Sequence, residues 1–243
     1  MTADPKPVYL LAGGGPPKPR HRPDPLAEEA LQQAGVSNPS VAYIGTASGD
    51  NAGFCMMISR LLRKAGAGEV RLAPLCGRRA DPQEAMRVIE SCDIVFVSGG
   101  DVEAGMDALA KRGMIGFLRS QYSGGKPFFG VSAGSIMLAK NWVRWKDPDG
   151  HSSAELFTCL GIAQVYCDTH DEEDDWEELK ALTGLIPPDS ISYGIPSGMG
   201  LATNPDGSVR ALGGEVPRFK NIDGRVKQIR PSRIRNSRFE IRD

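Results

Sequence analysis

With 243 residues, 40% of them hydrophobic and 24% charged, the chain has the balance of a soluble globular protein. A chain of this size buries roughly 70–75% of its unfolded surface and needs no disulfide or metal staple. Its 29 basic and 30 acidic residues leave a formal net charge of −1, which removes the electrostatic case for nucleic acid or an anionic membrane as partner.

The expected elements begin with an apolar strand, Val8 to Ala12, running into Gly13-Gly14-Gly15. These glycines lack the spacing of a dinucleotide fingerprint and the Lys-Ser/Thr of a P-loop, so they read as a close-approach loop. A Pro-rich loop from Pro16 to Pro25, containing His21, leads to a helix over Leu26–Ala34 that Gly35 stops. A second strand, Val41–Ile44, ends at Gly45, and a helix follows over Ala52–Ala65. A third strand is expected over Glu69–Pro74. Asp81 then caps a helix with Pro82 in its first position. A fourth strand, Asp93–Val97, terminates in Ser98-Gly99-Gly100-Asp101, and helical sequence runs to about Arg119 with a break near Gly113.

The fifth strand, Pro127 to Val131, enters a tight turn at Ser132. Gly130 and Gly134 flank the serine two residues away on each side, and a helix is expected from Ser135. This is the strand–elbow–helix pattern G-x-S-x-G, in which a strained turn holds an activated nucleophile before a helix N-terminus.

Beyond Asn141 the pattern changes. Trp142–Trp145 reads as a strand and Asp147-Pro148-Asp149-Gly150 as a turn. Ile162–Cys167 reads as a strand delivering Asp168-Thr169-His170, and Asp171–Leu182 as a helix with an acidic first turn. Ser190–Leu201, Ser208–Leu212 and Glu215–Lys220 read as antiparallel strands, with a turn at Asn204-Pro205-Asp206-Gly207 and one more strand over Arg225–Ile229. The basic stretch from Arg225 to Arg242 reads as a solvated surface or tail. Apolar strands alternating with amphipathic helices argue for an α/β fold: a three-layer sandwich whose mostly parallel sheet is flanked by helices, with antiparallel strands near the C-terminus. Neither a repeat nor a linker breaks the chain, so residues 1–243 are expected to form one domain. In such sheets chemistry gathers at the carboxyl ends of the strands, where Gly13, Gly45, Gly99 and Gly130 all fall.

A serine nucleophile needs a base, and the chain has three histidines. His21 lies in the Pro-rich loop and His151 follows the turn at Gly150. His170 alone stands just beyond a strand at the edge expected to carry Ser132. Asp147, Asp149, Glu155 and Asp168 are the carboxylates that could orient it. The acidic run Asp171-Glu172-Glu173-Asp174-Asp175 is explained by the helix dipole and receives no catalytic role. The Gly99-Gly100 pair and the amide of Ala133 are the expected donors to an oxyanion.

Four segments together resemble the peptidase E (aspartyl dipeptidase) and cyanophycinase family of serine peptidases. They are Gly130-Val131-Ser132-Ala133-Gly134, Phe96 through Asp101, Leu160-Gly161-Ile162 through His170, and Tyr193 through Leu201 followed by Val209 to Gly214. The resemblance implies a fold like the class I glutamine amidotransferase domain, with Ser132 as nucleophile, His170 as general base and Asp147 as the acid, Asp149 second. It implies oxyanion donors at Gly100 and Ala133, and no metal or organic cofactor. Val131 and Asp101 stand where peptidase E members usually carry Trp and Asn. The function expected is hydrolysis of a peptide amide in a short peptide through an acyl-enzyme. An esterase or non-peptide amidase on the same triad, or a silent small-ligand-binding protein, are the rivals. The expected partner is a small peptide substrate rather than nucleic acid or membrane, and the oligomeric state is left open, a homodimer being the commonest assembly in general. The five scattered cysteines (Cys55, Cys76, Cys92, Cys159, Cys167) form no C-x-x-C. Neither a leader-like segment nor a run of roughly 18 apolar residues occurs, so a cytoplasmic protein with reduced thiols is expected.

Overall fold

A computed structural model describes residues 4–14, 23–147 and 153–229. The expectations for His21, Gly15, Pro148, Asp149, Gly150, His151 and the tail beyond Ile229 lie outside the described residues.

The first half alternates strand and helix. Strand β1 (Val8–Leu11) is followed by α1 (Pro25–Leu31), β2 (Val41–Ile44), α2 (Ala52–Lys64), β3 (Val70–Leu72), α3 (Pro82–Ser91) and β4 (Ile94–Val97). Then come α4 (Val102–Lys111), α5 (Met114–Ser123), β5 (Phe128–Val131) and α6 (Ala133–Leu138). The second half holds β6 (Asn141–Trp145), β7 (Ala154–Thr158), β8 (Tyr166–Thr169), α7 (Glu177–Leu185), β9 (Ser192–Ile195), β10 (Gly200–Thr203), β11 (Val209–Leu212), β12 (Arg218–Ile222) and β13 (Arg225–Ile229).

Seven strands form one sheet in the order β11-β10-β1-β5-β4-β2-β3. The five from β1 to β3 run parallel, while β10 and β11 add antiparallel pairs. The two-residue period of each strand divides its side chains between two cores. Val8, Leu10, Ala42, Ile44, Val95, Val97 and Phe128 face α3, α4, α5 and α6. Tyr9, Leu11, Val41, Tyr43, Ile94, Phe96 and Phe129 face α1 and α2. Apolar residues at every position of these strands are thus explained by helices on both faces. The caps formed as their residue types require: Asp81 accepts hydrogen bonds from the Gln83 and Glu84 amides, an arrangement worth roughly 0.5–2 kcal/mol.

A second sheet, ordered β13-β12-β9-β8, packs with α7 around Val143, Tyr166, Trp176, Leu179 and Phe219. The hairpin β6–β7 forms its own two-stranded sheet and packs on this second core through Val143, Trp145 and Ala154, and β7 had no counterpart in the sequence expectations.

Several expected boundaries shift, each for a local reason. Ser190–Leu201 is not one strand. Pro196 supplies no amide and Gly198 turns with φ 78°, so the segment splits into β9 in the smaller sheet and β10 in the larger. Ile162 and Ala163 are buried in a loop before β8, with the Ala163 amide bonded to Leu138 O, so the strand begins at Tyr166. The helix expected from Asp171 begins at Glu177, because Trp176 adopts φ 61°. Its ring lies over Gly194, where any Cβ would come within 2.6 Å of it. The helix expected to reach Ala34 is α-helical only to Leu31 and finishes as a 3-10 turn before Gly35. The helix after the elbow starts at Ala133, two residues earlier than expected. Among the described residues, no helix is long and apolar enough to cross a membrane.

Candidate active site

The carboxyl ends of β1, β2, β4 and β5 meet at one edge of the large sheet, as the glycine-rich strand ends suggested. Ser132 leaves β5 with φ 54° and ψ −128°, a conformation that costs a non-glycine residue on the order of 1–3 kcal/mol. The surroundings hold it there. Its amide donates to Leu11 O at 2.8 Å, and the buried Ser135 hydroxyl donates to the same oxygen at 2.8 Å. The flanking glycines are needed for contact. A Cβ on Gly130 would stand 2.6 Å from the Gly134 backbone, and one on Gly134 would stand 2.1 Å from Val97 O. Helix α6 therefore sits directly on the ends of β4 and β5, with its N-terminus beside the serine.

His170 arrives from the other sheet. It follows β8, its amide donates to Ile195 O at 2.9 Å, and φ 45° turns the residue out of the strand. Its Nε2 lies 2.7 Å from Ser132 Oγ. With the ring proton on Nδ1, the serine hydroxyl donates to Nε2, the arrangement a general base requires. The pair is accessible, with Ser132 half-buried and His170 exposed.

Two strand ends bring amides to the same place. Gly99 approaches so closely that a Cβ there would lie 3.1 Å from Ser132 Cβ. Gly100 has φ 142°, and a Cβ on it would strike Ala47 O at 2.1 Å. Among the described residues, neither the Gly100 nor the Ala133 amide donates to a protein acceptor. Free amides beside a nucleophile are suited to receiving a developing oxyanion. Asp101, which could have set a negative charge in the site, has a carboxylate oxygen committed to capping α4 through the Ala104 amide at 2.7 Å. Beneath the loop, the Tyr43 hydroxyl donates to Ser98 Oγ at 2.7 Å and ties β2 to β4. Burial pushes that phenol up to about 12.

The carboxylates are distributed differently from the sequence expectations. Asp147 is exposed at the end of β6, where its amide donates to Ser153 Oγ at 3.0 Å. Among the described residues no hydrogen bond joins Asp147 to His170. Asp168 is only 3% exposed and accepts the Thr169 amide at 2.7 Å. The acidic run from Asp171 precedes the helix instead of forming its first turn, and the Glu178 amide in that turn hydrogen-bonds the Asp171 carboxylate. Within it, Glu172 Oε1 accepts the Ser197 amide at 2.9 Å. Burial raises the Glu172 carboxyl, but the Ser197 hydroxyl and amide bonds outweigh it, with a smaller contribution from His170, and the group stays below its ordinary value. The residues that sequence reasoning missed here are thus Glu172 and Ser197. Nothing local in the sequence marks them, because the packing of Trp176 against Gly194, distant in sequence, sets the helix start at Glu177.

Asp168 yields a pH prediction. Burial, then the negative charge of Glu178, push its carboxyl up to about 8. The folded protein therefore retains a proton that the unfolded chain releases near pH 4. The associated stability is complete below pH 4 and is lost as pH rises toward 8. Asp168→Asn is expected to melt progressively higher than wild type across that range, with the difference levelling off near pH 9. Thermal melts at pH 5, 7 and 9 measure this, and a difference that does not change with pH would contradict it.

The family model for peptidase family S51 matches residues 9–201. A crystal structure of a peptidase from an acI-B1 Actinobacterium superposes with TM-score 0.69 at 19% identity, covering 93% of this chain and 94% of the other. A putative peptidase E protein from Listeria monocytogenes EGD-e superposes with TM-score 0.61 at 17% identity, covering 85% and 98%. A shorter match is 33% identical over 79 residues to the pyridoxal 5'-phosphate synthase subunit PdxT of Geobacillus sp. (strain WCH70), and spans 41% of that protein and 32% of this chain.

Proposed function

The chain belongs to peptidase family S51 and is a serine-type peptidase, and from that premise we propose that it cleaves an amide bond of a short peptide through an acyl-enzyme on Ser132. The observation that carries the reading is the 2.7 Å contact between Ser132 Oγ and His170 Nε2 at an accessible sheet edge. His170 takes the hydroxyl proton as Ser132 attacks the carbonyl carbon. The amides of Gly100 and Ala133 receive the oxyanion. His170 then gives the proton to the leaving amine, and the sequence repeats with water as the nucleophile to release the acyl group. Removing one oxyanion donor typically costs roughly 2.7–4 kcal/mol of transition-state stabilisation.

Treatment with a peptidyl organophosphonate tests this directly. Mass spectrometry is expected to find the adduct on the peptide containing Ser132, with loss of peptidase activity in proportion to labelling. Folded, unlabelled protein that still cleaves peptides would remove Ser132 from the mechanism.

A further inference from the structure

The nucleophile and the base stand on different sheets, so their 2.7 Å separation depends on what holds the sheets in register near the pair. Ser132 is fastened to the end of β1 through Leu11 O. The end of β1 is fastened to the turn between β9 and β10: Ala12 N donates to Met199 O at 3.0 Å, and Gly198 N donates to Gly13 O at 2.8 Å. The turn is closed by Met199 N donating to Pro196 O at 2.9 Å. On the other side, the His170 amide is bonded to Ile195 O, and His170 has already left the ladder at φ 45°. Beyond it, the Glu172 side chain returns to the same turn and accepts the Ser197 amide at 2.9 Å.

We propose that Glu172 is a positioning residue: by holding the Ser197 amide it pins the segment carrying His170 to the turn that is anchored beside Ser132. The inference rests on the catalytic reading above and assigns the acidic run a role at the site. Two attachments bracket His170, one through its own amide and one through the side chain two residues on. A single attachment leaves a residue with positive φ free to swing its imidazole away from Oγ. Glu172 is expected to be ionised when it does this, because its bonds to Ser197 keep its carboxyl below the ordinary value despite partial burial.

The test compares Glu172→Ala and Glu172→Gln with wild type. Glu172→Ala is expected to lower kcat by roughly 10- to 100-fold, the effect of misplacing a reacting group by about 1 Å, with KM within about twofold. Ser132 labelling by the phosphonate should slow in parallel, at an unchanged melting temperature. Glu172→Gln keeps an oxygen acceptor for the Ser197 amide and should recover most of kcat. Crystal structures of wild type and Glu172→Ala give a readout independent of turnover: the Ser132 Oγ to His170 Nε2 separation should lengthen beyond hydrogen-bond range only in the variant. An unchanged separation, a wild-type kcat in Glu172→Ala, or a Gln variant no better than Ala each overturns the proposal. A wild type that is not labelled at Ser132 sinks the catalytic reading instead, and the crystallographic separation still reads the clamp.

Discussion

Ser132→Ala is expected to lower kcat by about 10⁴- to 10⁶-fold while leaving the fold and substrate binding close to wild type. The size follows from what the hydroxyl does in the proposed mechanism. Without Oγ there is no acyl-enzyme, and His170 has no proton to take. The Gly100 and Ala133 amides would still polarise a bound carbonyl, so a residue of catalysis over water remains. The small effect on folding follows from geometry. The Ser132 side chain makes no cap bond to α6, and the bonds that seat the elbow use its amide and carbonyl, which alanine keeps. Alanine at φ 54° carries much the same backbone cost as serine. Turnover of a fluorogenic peptide by the purified variant, with its melting temperature, measures both quantities. Activity retained above about 1% of wild type would exclude Ser132 as the nucleophile.

The sequence made the large sheet legible because its strands are buried on both faces, so short runs such as Val41–Ile44 and Ile94–Val97 stand out from the amphipathic helices between them. The elbow was legible for a related reason. Gly130 and Gly134 are fixed by backbone contacts that no other residue tolerates, and those contacts leave a spacing that can be read directly. His170 could be chosen because the chain has so few histidines. What escaped reading was set by partners distant in sequence. Ser192–Ile195 and Gly200–Thr203 look like one apolar run, yet they pair with β8 and β1, in different sheets. Ile162 and Ala163 have the composition of a strand but fill the core from a loop. The acidic run after His170 suits a helix N-terminus equally well in sequence, and only the burial of Trp176 against Gly194 moves the helix start to Glu177. Asp147, carried over by resemblance, exchanges hydrogen bonds with Ser153: its amide donates to Ser153 Oγ, and that hydroxyl donates to Asp147 O.

Gly134→Ala should be strongly damaging although helix propensity argues the opposite. Alanine is favoured over glycine inside a helix by about 1 kcal/mol. On the exposed face of α5 that preference should prevail: a Cβ on Gly116 meets nothing within 4 Å, so Gly116→Ala is expected to be neutral or stabilising by up to about 1 kcal/mol. At Gly134 the new methyl would lie 2.1 Å from Val97 O, 2.6 Å from Val97 C and 2.8 Å from Ser98 O. These are backbone atoms at the end of a central strand, with no flexible side chain to yield. Either α6 lifts off β4 or the Ser98-Gly99-Gly100 loop is displaced, and both movements separate the Ala133 and Gly100 amides from the position of the oxyanion. Overpacking of this kind costs about 1–3 kcal/mol or more, enough to cancel the propensity gain and reverse it. A displacement near 1 Å at the reacting groups costs on the order of 10²-fold in rate, so activity should fall further than stability. Denaturant midpoints for both variants, with kcat for Gly134→Ala, make the comparison. If the two substitutions behave alike, helix α6 is not seated on the end of β4, and the elbow does not owe its shape to that contact.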